Sequence, residues 1–143
     1  MIAYVDASVL LRLVLGQPDA LREWERIDRG VTSALTMTES LRTLDRLRLR
    51  AALPDGELAR RRGSVLRILG ALELVEVEPM VLERAAQPMP TELGTLDAIH
   101  LATALLWRAA GGQDLVMATH DAALGIAARA HGMPVVGVAD DSR

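Results

Sequence analysis

Apolar runs of strand length recur along this chain between segments of helix length, and that alternation constrains the fold more than any other feature. Ile2 to Val5 is the first run and ends at Asp6; Val31 to Leu35, Leu74 to Val77, Leu115 to Thr119 and Pro134 to Val138 follow. The segments between them predict helices. One runs from Val9 to Leu15 with Ser8 as its cap, one from Pro18 to about Arg29, and one from Thr36 to about Ala52. Further helices run from the Pro54-Asp55-Gly56 turn to about Leu72, from Pro79 to about Gln87, from Thr95 to about Ala110 and from Asp121 to His131. Short strands alternating with longer helices imply crossover connections and a parallel sheet covered on both faces. The expected fold is α/β, a three-layer α/β/α arrangement around a five-stranded parallel sheet. It is expected to form one domain over residues 1–143, with Asp140 to Arg143 as a loose tail.

Half of the 143 residues are hydrophobic, enough for one sizeable core. No apolar stretch approaches the roughly 20 residues that cross a bilayer. The opening Met-Ile-Ala-Tyr-Val-Asp lacks the basic region of a secretory signal, so a cytoplasmic protein without a membrane partner is expected. With no cysteine, disulfides and thiolate metal sites are excluded. The net charge of −3 argues against a protein that holds nucleic acid by overall positive charge. Its distribution is uneven, however. All 16 basic residues are arginine, and Arg42 to Arg67 holds eight of them against Asp45, Asp55 and Glu57, a local +5. Arginine's planar donor fork suits phosphate; a solvated helical face in an arginine-rich protein is the alternative.

In parallel sheets, ligands bind outside the carboxyl ends of the strands. Asp6 ends the first strand there. Glu39 lies in the first turn of the helix after the second strand, Asp97 in the first turn of the helix at Thr95, and Asp121 directly after the fourth strand. Each has a structural alternative. Thr36-Met-Thr-Glu39 has the capping-box pattern, Thr95-Leu-Asp97 reads as a cap followed by a dipole-favoured acid, and Asp121 can cap its own helix. Jointly the acids raise a further question. Two carboxylates 4 Å apart repel by roughly 4 kcal/mol at an effective dielectric near 20, so a converging set must take up protons or a cation. Oxygen donors without cysteine select Mg²⁺ or Mn²⁺. Such an ion serves phosphodiester cleavage.

Rival acidic or nucleotide-binding folds fail on particular residues. A receiver domain needs a lysine and none exists; a haloacid-dehalogenase-type site needs an aspartate where Ser8 stands; Asp6-Ala7-Ser8-Val9 is no glycine-rich dinucleotide turn. His100 and His120 read as packed or solvent-facing, and His131 as a cation at a helix end. Three aromatic residues are too few to hold RNA by base stacking.

Val5-Asp6-Ala7-Ser8 after the first strand resembles the opening signature of the PIN-domain family, and Thr36-Met-Thr-Glu39 resembles its second. Leu96-Asp97-Ala98-Ile99-His100-Leu101-Ala102-Thr103-Ala104 is very similar to the third and the most specific. Ala118-Thr119-His120-Asp121, followed by His131-Gly132-Met-Pro134, is similar to the closing motif. The resemblance implies a Mg²⁺- or Mn²⁺-dependent endoribonuclease of the VapC toxin type, homodimeric and neutralised by an antitoxin. It implies in-line attack by a metal-activated water on an RNA phosphodiester. Asp6 and Asp97 would be the main metal ligands, Glu39 would orient or deprotonate the water, and Asp121 would complete the set. Ser8 and Thr119 would give polar support, and Arg42 to Arg67 would guide RNA or contact a partner. The final acid varies within the family, and Asp114 lies at the wrong end of the fourth strand to replace Asp121. The contrary expectation is a catalytically inactive PIN-like binding or regulatory module whose acids serve only as caps.

Overall fold

A computed structural model describes residues 1–50 and 53–140. The strands are β1 (Ile2–Val5), β2 (Arg29–Ser33), β3 (Glu73–Val75), β4 (Val116–Ala118) and β5 (Val135–Val136). They form one sheet in the order β3-β2-β1-β4-β5, every pair parallel. The helices are α1 (Ala7–Val14), α2 (Leu35–Leu49), α3 (Asp55–Gly70), α4 (Pro79–Ala85), α5 (Thr95–Gly111) and α6 (Ala122–Ala130). The chain builds outward from β1 to β3, then returns to add β4 on the other flank of β1. That reversal leaves a crevice at the carboxyl end of β1, where parallel sheets bind ligands.

Alternation along β1 sends its side chains to two separate cores. Tyr4 packs with Leu101, Ala104 and Leu105 of α5 and Leu124, Ala127 and Ala128 of α6. Ala3 and Val5 pack with Val9, Leu21 and Ala118. A third cluster, with Leu10, Val14, Leu44, Val65 and Leu69, joins α1 to the α2–α3 hairpin. Both sheet faces are therefore covered, as the alternation of strands and helices predicts. No helix among the described residues is long and apolar enough to cross a membrane.

The helix predicted from Pro18 to Arg29 does not form. The segment holds turns and a 3-10 helix at Trp24–Arg26, and β2 already begins at Arg29. Its apolar residues Leu21, Trp24 and Ile27 recur at every third position, and all three pack against the Ala3–Val5 cluster. Backbone bonds from Trp24 to Leu21 and from Ile27 to Trp24 follow the same three-residue spacing. The caps are also misread. α1 starts at Ala7 rather than behind Ser8, α2 starts at Leu35 behind Ala34, and α5 starts at Thr95 behind Gly94. None of these three helices has a side-chain cap. α3 passes through Gly63 without a break. The predicted end of the third helix at Ala52 and the last three residues of the predicted tail lie outside the described residues.

Gly137, just past β5, has φ +95°, and a Cβ there would stand 2.4 Å from the Thr119 carbonyl oxygen. Gly137→Ala is expected to cost about 1–3 kcal/mol through backbone strain. Urea unfolding checks this; an unchanged midpoint would mean that the turn relaxes freely.

Candidate active site

The end of β1 is buried, and Asp6 there is only 5% exposed. A carboxylate so placed needs donors other than bulk water. Two hydroxyls supply them: Ser8 Oγ and Thr119 Oγ1 donate to Asp6 Oδ2 at 2.7 and 2.9 Å. Each hydroxyl also accepts a backbone N–H, Ser8 from His120 at 2.9 Å and Thr119 from Asp121 at 3.0 Å. The register explains the meeting, since Val5 pairs with Ala118 and the next residues are therefore neighbours across β1 and β4. One oxygen of Asp6 is held in this way. The other, Oδ1, lies 3.8 Å from His100 Nε2.

Glu39 arrives from the β2 side. Thr32 Oγ1 donates to the Val5 carbonyl at 2.6 Å and accepts from Thr36 Oγ1 at 2.7 Å, which fastens the start of α2 to the end of β1. Thr36 is thus buried against Thr32 and caps nothing, so the capping-box alternative for Glu39 fails. The Glu39 carboxylate instead accepts from His100 Nε2.

Asp97 stands in the first turn of α5. Burial, together with the nearby charges of Asp121, Asp6 and Glu39, pushes its pKa up to about 6, with only His100 opposing. Asp121 caps α6, its Oδ1 accepting from the Leu124 N–H at 2.9 Å. Its structural alternative is therefore real for that oxygen, yet its charge is the neighbour that acts most on Asp97. The four acids share one electrostatic neighbourhood.

Sequence reasoning missed His100 and Tyr4. Both are fully buried, and Tyr4 Oη meets His100 Nδ1 at 2.7 Å. Burial works against a charged His100, but the Glu39 hydrogen bond and the charges of Asp6, Glu39 and Asp97 outweigh it and leave the pKa raised. Burial, with Asp6 behind it, raises the Tyr4 pKa well above the usual phenol value, so its hydroxyl keeps its proton. Spacing carried a signal for both: Tyr4 lies two residues before Asp6 on a strand, and His100 three after Asp97 on a helix. His131 departs from its reading as a cation, because burial and the nearby Arg84 and Arg108 lower its pKa. His120 Nδ1 is taken by the Gly137 carbonyl at 2.9 Å.

The donor set fits a hard divalent cation by its chemistry, since burial and the neighbouring acids favour on Asp97 a proton that a cation would displace. Among the described residues, no three acidic or histidine side chains are already arranged around one cation position. Glu39 is turned to His100, and Asp121 is turned to its own helix. Beside the rim lies a cleft of about 690 Å³, lined by Arg12, Leu21, Arg22, His120 and Gly137 among others.

The PIN domain profile matches residues 3–142. Ribonuclease VapC46 of Mycobacterium tuberculosis is 39% identical over 137 residues, covering 93% of this chain and 95% of that protein. Among solved structures, a toxin-antitoxin complex from Klebsiella pneumoniae superposes with a TM-score of 0.64 at 21% identity, covering 96% of both chains. FitAcB from Neisseria gonorrhoeae gives 0.65 at 20% identity, covering 94% of this chain and 96% of that one. At such identities these two structures bear on the fold alone.

Charge crowding makes a prediction for metal-free protein. Asp97 holds its proton to about pH 6 when folded but to about 3.8 when unfolded. Its contribution is therefore fully present below pH 3.8 and lost as pH rises through 6. Asp97 is partly exposed, so solvent screening reduces the effect to about 1 kcal/mol. In EDTA at pH 7.5, Asp97→Asn is expected to unfold at higher urea than the parent, with the gap closing near pH 4. A gap that does not change with pH would show that the crowding is not felt.

Proposed function

The chain belongs to the PIN-domain family, and from that premise we propose that it is a metal-dependent endoribonuclease, the toxin of a toxin–antitoxin pair. The observation that carries the reading is Asp97, whose pKa is raised by burial and then by the charges of Asp121, Asp6 and Glu39 on the same rim. The relative 39% identical along nearly the full length is named a ribonuclease, which supports RNA as the substrate. The Klebsiella structure is a toxin-antitoxin complex, which supports an antitoxin as partner. We read the site of action as the cytoplasm and the working form as a homodimer. Exposed Leu74 and Met80 line an apolar groove along β3, α4 and α5 that would suit a partner subunit.

Asp6 and Asp97 would be the main ligands of Mg²⁺ or Mn²⁺, with Glu39 and Asp121 completing the set. When bound, the cation supplies a more acidic water and charge neutralisation at the phosphate. The chain's own residues do the rest. Ser8 and Thr119 stop Asp6 from rotating, which presents Oδ1 to the rim. Glu39, with one oxygen taken by His100, has the other to accept a proton from the attacking water. The new O–P bond forms as the bond to the departing ribose oxygen breaks on the opposite side. Arginines of the α2–α3 hairpin would lead the RNA backbone towards the acids, although several are tied locally. Arg42 and Arg48 pair with Asp45, and Arg60 and Arg61 with Glu57.

The capping bond of Asp121 and the lack, among the described residues, of a preset ligand triad favour a second reading, an inactive PIN-like binding or regulatory module. Metal and mutation separate the two. Under the nuclease reading, EDTA abolishes RNA cleavage and Mn²⁺ restores it. Asp6→Asn and Asp97→Asn each lower kcat by more than about 100-fold, beyond the cost of losing an outer partner of a metal ligand. A module would bind Mn²⁺ no better than the Asp97→Asn variant does. Neutralising Arg46, Arg50 and Arg62 together is expected to weaken RNA binding and flatten its salt dependence. Unchanged binding and cleavage would remove the hairpin's guiding role.

A further inference from the structure

We propose, resting on the nuclease reading above, that His100 is a positioning residue that holds Glu39 in place and is itself held by Tyr4. The ring lies at the centre of the rim without touching solvent. Its Nδ1 meets the Tyr4 hydroxyl at 2.7 Å, its Nε2 bonds the Glu39 carboxylate, and the same Nε2 stands 3.8 Å from Asp6 Oδ1. The Tyr4 ring meets it edge-on, with centroids 5.9 Å apart, so its tilt is fixed as well.

The bonding pattern leaves one assignment for the neutral ring. An ionised carboxylate only accepts, so Nε2 carries hydrogen and Nδ1 offers its lone pair to the Tyr4 hydroxyl. Neither ring nitrogen has water to turn to, since His100 and Tyr4 are both fully buried. Glu39 depends on this contact. It is a flexible side chain, about a quarter exposed, whose charge acts on Asp97. Among the described residues, no other side chain donates to its carboxylate. The reactive geometry of α2 is therefore set by a ring on α5, which is in turn set by a phenol on β1.

A ring that merely fills the core would behave differently from one that aims Glu39, and a double-mutant cycle on the full chain separates the two roles. The readouts are kcat and KM for RNA cleavage, Mn²⁺ affinity by calorimetry, and thermal unfolding. His100→Leu is expected to lower kcat and Mn²⁺ affinity by roughly 10- to 100-fold and about 10-fold with little change in KM, the range for partners of metal ligands. His100→Gln, whose amide can still donate to Glu39, recovers most of the loss. Tyr4→Phe keeps the core filled and gives a smaller loss. In a Glu39→Gln background, His100→Leu costs less than about threefold more. Parent-like rates and Mn²⁺ affinity in a folded His100→Leu protein would overturn the proposal, as would a full-sized loss in the Glu39→Gln background. If His100→Leu does not fold, Tyr4→Phe and His100→Gln decide by the same two readouts. A parent chain that cleaves no RNA sinks the nuclease reading instead, while Mn²⁺ affinities still decide the role of His100.

Discussion

Mutual repulsion among acids at the carboxyl end of β1 is the constraint that organises the rest of this molecule. An aspartate that closes a central strand cannot reach bulk water, and three further carboxylates stand near enough to act on one another. The fold answers with fixed donors. Two hydroxyls hold one oxygen of Asp6, a buried imidazole reaches Glu39, and Asp97 keeps a proton beyond the usual aspartate range. Each donor comes from a different element, so the sheet order, the start of α2 and the pitch of α5 all serve the same few oxygens. Like charges brought this close are what a divalent cation would neutralise.

Much of the fold was legible because its signals are periodic. Strand-length apolar runs located all five strands to within a few residues, and the acids at strand ends could be assigned to one rim from the parallel topology alone. The segment from Pro18 to Arg29 was not legible in the same way. Leu21, Trp24 and Ile27 satisfy a loose helical pattern, but burial over the β1 side of the sheet selects a three-residue spacing, which tertiary contact decides. Caps were misread for a related reason. Thr36 looks like a cap in sequence, yet the hydroxyl of Thr32 on β2, a strand in from the sheet edge, claims it first. Tyr4 and His100 escaped notice because each is an ordinary core residue until its partner is seen. Their bond spans 96 positions, so the spacing of each from its neighbouring aspartate could flag the two residues but not their pairing.

The arginine-rich hairpin shows how composition and structure part company. Eight arginines between residues 42 and 67 look like a nucleic-acid surface in sequence. In the fold, Asp45 takes two of them, Glu57 takes two more, and Arg61 also donates to the Val14 carbonyl near the end of α1. The Arg61 bond braces the hairpin against α1, and the four ion pairs within its helices lower the field it projects. What remains for a ligand is set by geometry around the unpaired guanidinium groups rather than by the count.

The pairing of β1 with β4 has a consequence in time. In translation Asp6 emerges 113 residues before Thr119, whose hydroxyl, with the charge of Asp121 beside it, completes the rim. Until then the central strand lacks one neighbour and its terminal carboxylate lacks half of its clasp. The acidic rim therefore cannot assemble until the chain through Asp121 has left the ribosome.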